Sequence, residues 1–201
     1  VDSKEDINRL TKAVFICLAF LLLTGFYYHL DKYVSGFIFI TIPLTIVILF
    51  LSIVIYTIKY SLNLFQRIDR FKLINIIPAI LYYLTLIYLF FSPYQFSSER
   101  LESQVMLRGC YEGTQNQATI KFRRNKTFEL HWTGIFFSSS WYTGNYTQRG
   151  DTLILDYKSE KPIRFGHLVA IQNGELRTVE TASDSLKNIV PFYLGYCKHL
   201  N

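Results

Sequence analysis

Residues 84–112 read LTLIYLFFSPYQFSSERLESQVMLRGCYE, and the chain changes character inside them. Leu84 to Phe91 closes an unbroken apolar run, Ser92 to Gln104 is polar, and from Val105 apolar and polar residues alternate. An apolar run of bilayer length reads as a membrane helix, and a period of two reads as half-buried strand. A membrane part therefore ends here and a β part begins.

Upstream, three apolar runs are long enough for a helix to cross the roughly 30 Å hydrocarbon core. They are Ala13 to Leu30, Tyr33 to Ile58 and Leu73 to Phe91. A bilayer offers no partners to open backbone, so such runs fold as helices despite their β-branched residues. Tyr27, Tyr28, His29 and Leu30 close the first run where a signal peptide would need small residues, so it reads as a span. Tyr33, Tyr56, Tyr60, Tyr88 and Tyr94 fall near run ends, as interfacial belts require. Pro43 and Pro78 lie inside the second and third runs as hinge candidates. The plainer reading is membrane proline whose freed carbonyl is satisfied by neighbours.

The tail 1–12 carries Lys4, Arg9 and Lys12, and the second loop carries Lys59, Arg67, Arg70 and Lys72. The other side has only Lys32, Arg100 and Arg108. The positive-inside rule places the N-terminus in the cytoplasm and, after three spans of an inner membrane, the C-terminal domain outside it. In the loop 59–72, Leu64, Phe65, Ile68 and Phe71 share one helical face and Arg67 and Arg70 lie off it. That pattern suits an anionic leaflet, and equally a linker extending the second span.

Downstream of the linker 92–104, alternation gives strands at 105–112, 117–124, 126–133, 140–148, 152–158, 162–172, 175–180 and 189–197. Turn residues separate them: Arg124-Asn125-Lys126, Arg149-Gly150-Asp151, Glu160-Lys161-Pro162 and the hairpin signal Asn173-Gly174. The fold class is thus membrane α plus all-β. Three transmembrane helices over 13–91 precede an antiparallel barrel of about eight strands over 105–201, with a β-sandwich as the alternative. In a closed barrel the first and last strands are neighbours, so Cys110 and Cys197 are a disulfide candidate, the alternative being two buried thiols. Cys17, inside the first run, reads as a packing residue.

Composition agrees with this division. Of 201 residues 50% are hydrophobic, 17% aromatic and 18% charged, with a net charge of +6. Soluble domains carry about 25% charged residues. Residues 1–104 hold 9 Lys and Arg against 7 Asp and Glu, and 105–201 hold 12 against 8. A nucleic-acid-binding globule, a disulfide-dense miniprotein and a disordered chain are excluded.

The run Gly109-Cys110-Tyr111, Asn125-Lys126-Thr127-Phe128, Trp141 to Tyr146 and Gly150-Asp151-Thr152-Leu153-Ile154-Leu155 resembles the small lipocalin-like β-barrel domains of bacterial envelope proteins. The resemblance covers about 105–158, rests on turn glycines and core aromatics, and implies a barrel that binds or senses rather than catalyses. The layout of helices plus a small β domain also resembles the membrane effectors of bacterial nucleotide-signalled anti-phage defence. That likeness is one of architecture, and it implies a cytoplasmic β domain gating channel-forming or membrane-disrupting helices.

No motif for metal, phosphate-loop or nucleophilic chemistry occurs in the sequence: H-E-x-x-H, C-x-x-C and G-x-S-x-G are all missing. No catalytic residue, metal or cofactor is expected, and His131, His167, Glu129 and Asp156 read as strand or rim residues. The ligand-binding expectation is a barrel mouth formed by Trp132, Ile135, Phe136, Phe137 and Trp141. Arg123, Arg124 and Lys126 form a second candidate, cations for an anionic ligand such as a nucleotide, or simply a solvated hairpin tip. The expected function is a non-enzymatic membrane protein whose barrel binds a small molecule or partner protein and couples it to the helices. The alternatives are the nucleotide-gated effector and an immunity protein against a membrane-acting toxin. The expected partners are the bilayer, the barrel's ligand and further copies of the chain through the helices.

Overall fold

A computed structural model describes residues 2–34, 37–66, 73–91, 96–135, 138–158, 161–179 and 190–197. The chain divides into two compact units, Val1–Leu101 and Glu102–Asn201.

The first unit is helical: α1 is Asp2–Gly25, α2 Tyr27–Tyr33, α3 Phe37–Gln66 and α4 Leu73–Phe91. A 3-10 turn follows at Ser98–Leu101. Residues 2–12 of the tail supply the first turns of α1, where Glu5 and Arg9 pair one turn apart. Phe26, with φ −96° and ψ 7°, separates α1 from α2. A Cβ at Gly25 would lie 2.9 Å from the Phe96 ring, and Phe26 packs on that same ring. The first apolar run is two helices rather than one.

Helices α1, α3 and α4 pack through one stripe each. On α1 the buried residues Ala13, Ile16, Cys17 and Phe20 recur at helical spacing, and they meet Ile53 of α3 and Tyr82 of α4. Tyr82 stacks on Tyr56 at 5.6 Å. The remaining faces stay apolar and uncovered: Ile40, Leu44, Val47, Leu51, Ile55 and Ile58 of α3 are all more than half exposed. Thr45, Ser52, Thr57 and Ser61 each turn their hydroxyl back onto the carbonyl four residues earlier, so these polar groups are satisfied within the helix.

Among the described residues, two helices are long and apolar enough to cross a membrane, over Lys4–Gly25 and Ile40–Asn63, and α4 contributes a shorter apolar stretch, Ile76–Phe91. Both α3 and α4 run unbroken through Pro43 and Pro78. Of the basic amphipathic loop, residues 59–66 are the last turns of α3. Arg67, Ile68, Arg70 and Phe71 lie outside the described residues.

The second unit is a closed antiparallel barrel in which every strand pairs with its sequence neighbours and β8 returns to β1. The strands are β1 Val105–Glu112, β2 Asn116–Arg123, β3 Thr127–Gly134, β4 Ser139–Arg149, β5 Thr152–Tyr157, β6 Leu168–Gln172, β7 Glu175–Thr178 and β8 Phe192–Leu194. The sandwich alternative is set aside by this closure. Six strands fall within two residues of their expected bounds, but the segments expected as strand at 162–172 and 189–197 are shorter. Pro162 and Gly166 keep the start of the former out of the ladder, and Pro191 and Gly195 (φ 114°) bracket the latter.

Asn173 and Gly174 both have positive φ, the two-residue hairpin that the pair announces. Alternate residues of each strand point inward, and Phe122, Phe128, Leu130, Leu153, Leu176 and Phe192 are almost wholly buried there. Eight strands enclose a space that side chains of this size fill.

Closure is thin in backbone terms: β8 makes two register pairs with β1 and two with β7. The seam is reinforced outside the sheet. Gly195 N–H donates to the Arg108 carbonyl, the Arg108 guanidinium lies 4.3 Å over the Tyr196 ring, and Cys110 is bonded to Cys197 with Cα atoms 5.3 Å apart. Cross-linking residues 87 apart restricts the unfolded chain by about 4 kcal/mol on the chain-entropy account. We therefore expect Cys110→Ser with Cys197→Ser, or reduction, to lower barrel stability by about that amount, read from chemical unfolding followed by tryptophan fluorescence. A second expectation concerns Gly144, where an added Cβ would meet the Asp156 backbone oxygen and the Phe128 ring. Gly144→Ala should cost at least about 2 kcal/mol in the same measurement.

Candidate functional site

Strand parity sorts the barrel's loops. Those joining β1–β2, β3–β4, β5–β6 and β7–β8 leave from one end. Those joining β2–β3, β4–β5 and β6–β7 leave from the other, where the chain also enters β1. The two ends differ in chemistry. The entry end turns through Arg124-Asn125-Lys126, Gly150-Asp151 and Asn173-Gly174. The far end carries Ile135 and Ile163, 51% and 82% exposed, with Val179 also half exposed.

At the far end the interior is capped by aromatics. Tyr111 and Trp132 face inward from β1 and β3, flank the small Ala118 in register, and meet with ring centroids 5.5 Å apart. Both also contact Phe192 beneath them. From the β5–β6 loop Phe165, 1% exposed, drops into the core against Phe192 at 4.7 Å. Next to it, the Arg164 guanidinium sits 5.9 Å from the Trp132 ring centre. The loop is pinned on both sides: the Tyr157 hydroxyl donates to the Gly166 carbonyl at 3.2 Å, and Gly166 N–H donates to Thr178 Oγ1 at 3.1 Å.

The residues expected at the mouth are only partly brought together. Trp132 and Ile135 are at this end, while Phe136 and Phe137 lie outside the described residues. Trp141 is not in the mouth. His131 and Trp141 are register partners on the outer face, where their rings stack at 4.0 Å and His131 Nε2 bonds Ser139 Oγ at 2.9 Å. Trp132 pairs with Ser140, so the two tryptophans point to opposite sides of the sheet.

The basic hairpin also divides. Arg124 and Lys126 are exposed, with Lys126 at φ 65° and its ammonium over the Tyr146 ring. Arg123 is 3% exposed and cannot present itself to a ligand in solution as the basic-cluster reading requires. Its guanidinium donates to Glu129 Oε1 at 2.5 Å and to the Ser103 carbonyl at 2.6 Å. Arg124 N–H donates to the Gln104 carbonyl, so the end of the linker is tied to this turn. The Tyr146 hydroxyl donates to the Arg123 carbonyl at 3.1 Å, and burial pushes that phenol's pKa up. Arg123 and Glu129 thus hold the linker to the barrel.

Cys110, Glu112 and Cys197 bring three potential ligand atoms within 4.8 Å of one another. With the two sulfurs bonded to each other, Glu112 alone keeps its donor. Cys17 is a buried free thiol in the helical unit.

Ile163, Arg164 and Phe165 are not marked as site residues by the sequence, and Tyr111 enters there only through the barrel resemblance. The Pro162 and Gly166 that bracket Ile163, Arg164 and Phe165 are the signal that marks a loop there. Comparison with family models, with curated proteins and with solved structures yields no match. The lipocalin-like resemblance therefore rests on the closed eight-stranded barrel, which is compatible with it.

The buried Arg123–Glu129 pair makes a specific prediction. Removing one partner strands the other charge in a dry site, so Arg123→Met or Glu129→Leu alone should cost about 3–5 kcal/mol of barrel stability. The double variant should recover most of that loss in the same unfolding assay.

Proposed function

We propose that this chain is a non-enzymatic, three-span membrane protein whose C-terminal lipocalin-like barrel lies outside the cytoplasm and binds its target with the far loop end. The observation that carries the binding role is the contrast between the barrel's two ends. Turns at the entry end are polar, with Met106 on β1 and Tyr196 just past β8 exposed, whereas the far end holds Ile135 and Ile163 in solvent at its loop tips, Ile163 on a pinned loop. An exposed apolar patch on a soluble surface marks contact with something else.

Membrane insertion is supported by the uncovered apolar faces of α1, α3 and α4. At 19 residues α4 is about 28 Å long, close to the hydrocarbon thickness, so it serves as the third span. Placement outside the cytoplasm is supported by the basic tail and second loop and by the Cys110–Cys197 bond, since disulfides persist in oxidising compartments.

Fusions after Asn201 in a bacterial host test this reading. Alkaline phosphatase, which folds only after export, should be active, and a green fluorescent protein at the same point should be dark. A bright fluorescent fusion with inactive phosphatase would overturn the topology and with it the extracytoplasmic binding role.

A further inference from the structure

The far loop end of the barrel has a surface chemistry that narrows what it contacts. The β5–β6 loop presents Lys161-Pro162-Ile163-Arg164, with Lys158 exposed at its start. Pro162 and Phe165 on either side are buried, and Tyr157 and Thr178 hold Gly166. Ile163, between them on this pinned loop, is 82% exposed. The neighbouring loop adds Ile135. Arg164 joins the two loops, its guanidinium lying against Trp132 three residues before Ile135. Among the described residues of the loops at this end, the charged ones are Lys158, Lys161 and Arg164. Glu160, Glu180, Asp184 and Lys187 lie outside the described residues.

Aliphatic tips flanked directly by long cationic side chains suit an interface that is apolar a few ångströms below an anionic layer. The aliphatic groups enter the acyl boundary while the ammonium and guanidinium groups stay with the phosphates. We infer that Ile135, Ile163 and the cations Lys158, Lys161 and Arg164 form a docking edge for an anionic lipid surface. This names the target of the binding end proposed above and rests on that reading. Pinning of the loop keeps the entropy lost on docking small.

The test uses the full chain in nanodiscs of neutral phosphatidylcholine, mixed with separate vesicles and separated by flotation. The wild type should float with vesicles containing phosphatidylglycerol and much less with phosphatidylcholine alone. Ile163→Ser and Ile135→Ser should each weaken partitioning by about tenfold. Arg164→Gln should weaken it by about fivefold. Arg149→Gln removes the same charge from the entry end and should float as the wild type does. An intact disulfide by mass and an unchanged circular dichroism spectrum confirm that each variant is folded. The inference is overturned if the wild type stays with the nanodisc fraction, if neutral vesicles serve equally well, or if Arg149→Gln loses as much as Arg164→Gln. Flotation reads the loop end whichever side of the membrane the barrel occupies, so its failure is separable from failure of the fusion experiment.

Discussion

Closure of the sheet between β1 and β8 is the constraint on which the second unit depends. An open eight-stranded sheet would leave two unpaired edges and an apolar face in water. The strand that prevents this is three residues long and contributes two register pairs on each side. Its hold comes from side chains. Phe192 fills the interior under Tyr111 and Trp132, and beyond the strand Cys197 bonds back to Cys110 on the outside of β1. Burial inside and a covalent bond outside thus compensate for a ladder too short to close the barrel alone.

A second outer-face device fixes the other side of β1. Arg123 and Glu129 occupy outward positions that alternation alone would assign to solvent, yet both are buried, with Arg123 bonded to the linker's Ser103 carbonyl. Low dielectric makes such a pair costly to break and specific in where it forms. The chain's entry into the barrel is therefore set by a charged interaction, whereas the far loops are set by aromatic packing. With entry and seam held by these devices, the far loops are the ones that hold aliphatic tips in solvent.

Much of this was legible in residue order. Apolar runs of bilayer length upstream and a period of two downstream separated the helical unit from the β unit. Asn173-Gly174 and Gly150-Asp151 announced hairpins with the required positive φ values. Adjacency of first and last strands in a closed barrel made Cys110 and Cys197 a disulfide candidate, with two buried thiols as the alternative, and the two are bonded. The candidate site was less legible. Trp132 and Trp141 looked like one aromatic cluster because they are near in sequence, but register puts them on opposite faces. Arg123 looked like part of a basic tip because its neighbours are cations, but strand parity turns it toward Glu129. Phe165 read as strand and proved to be a plug.

The sequence by itself determined the division at the polar linker, the apolar lengths upstream and the number of strands downstream, because each depends on local periodicity and turn chemistry. Tertiary structure alone decided which side of the sheet each aromatic occupies, which cation is buried and which aliphatic residue is held in solvent. Those outcomes depend on pairings between residues far apart in the chain. A shift of one residue in any pairing would reverse the face of every side chain in the strand.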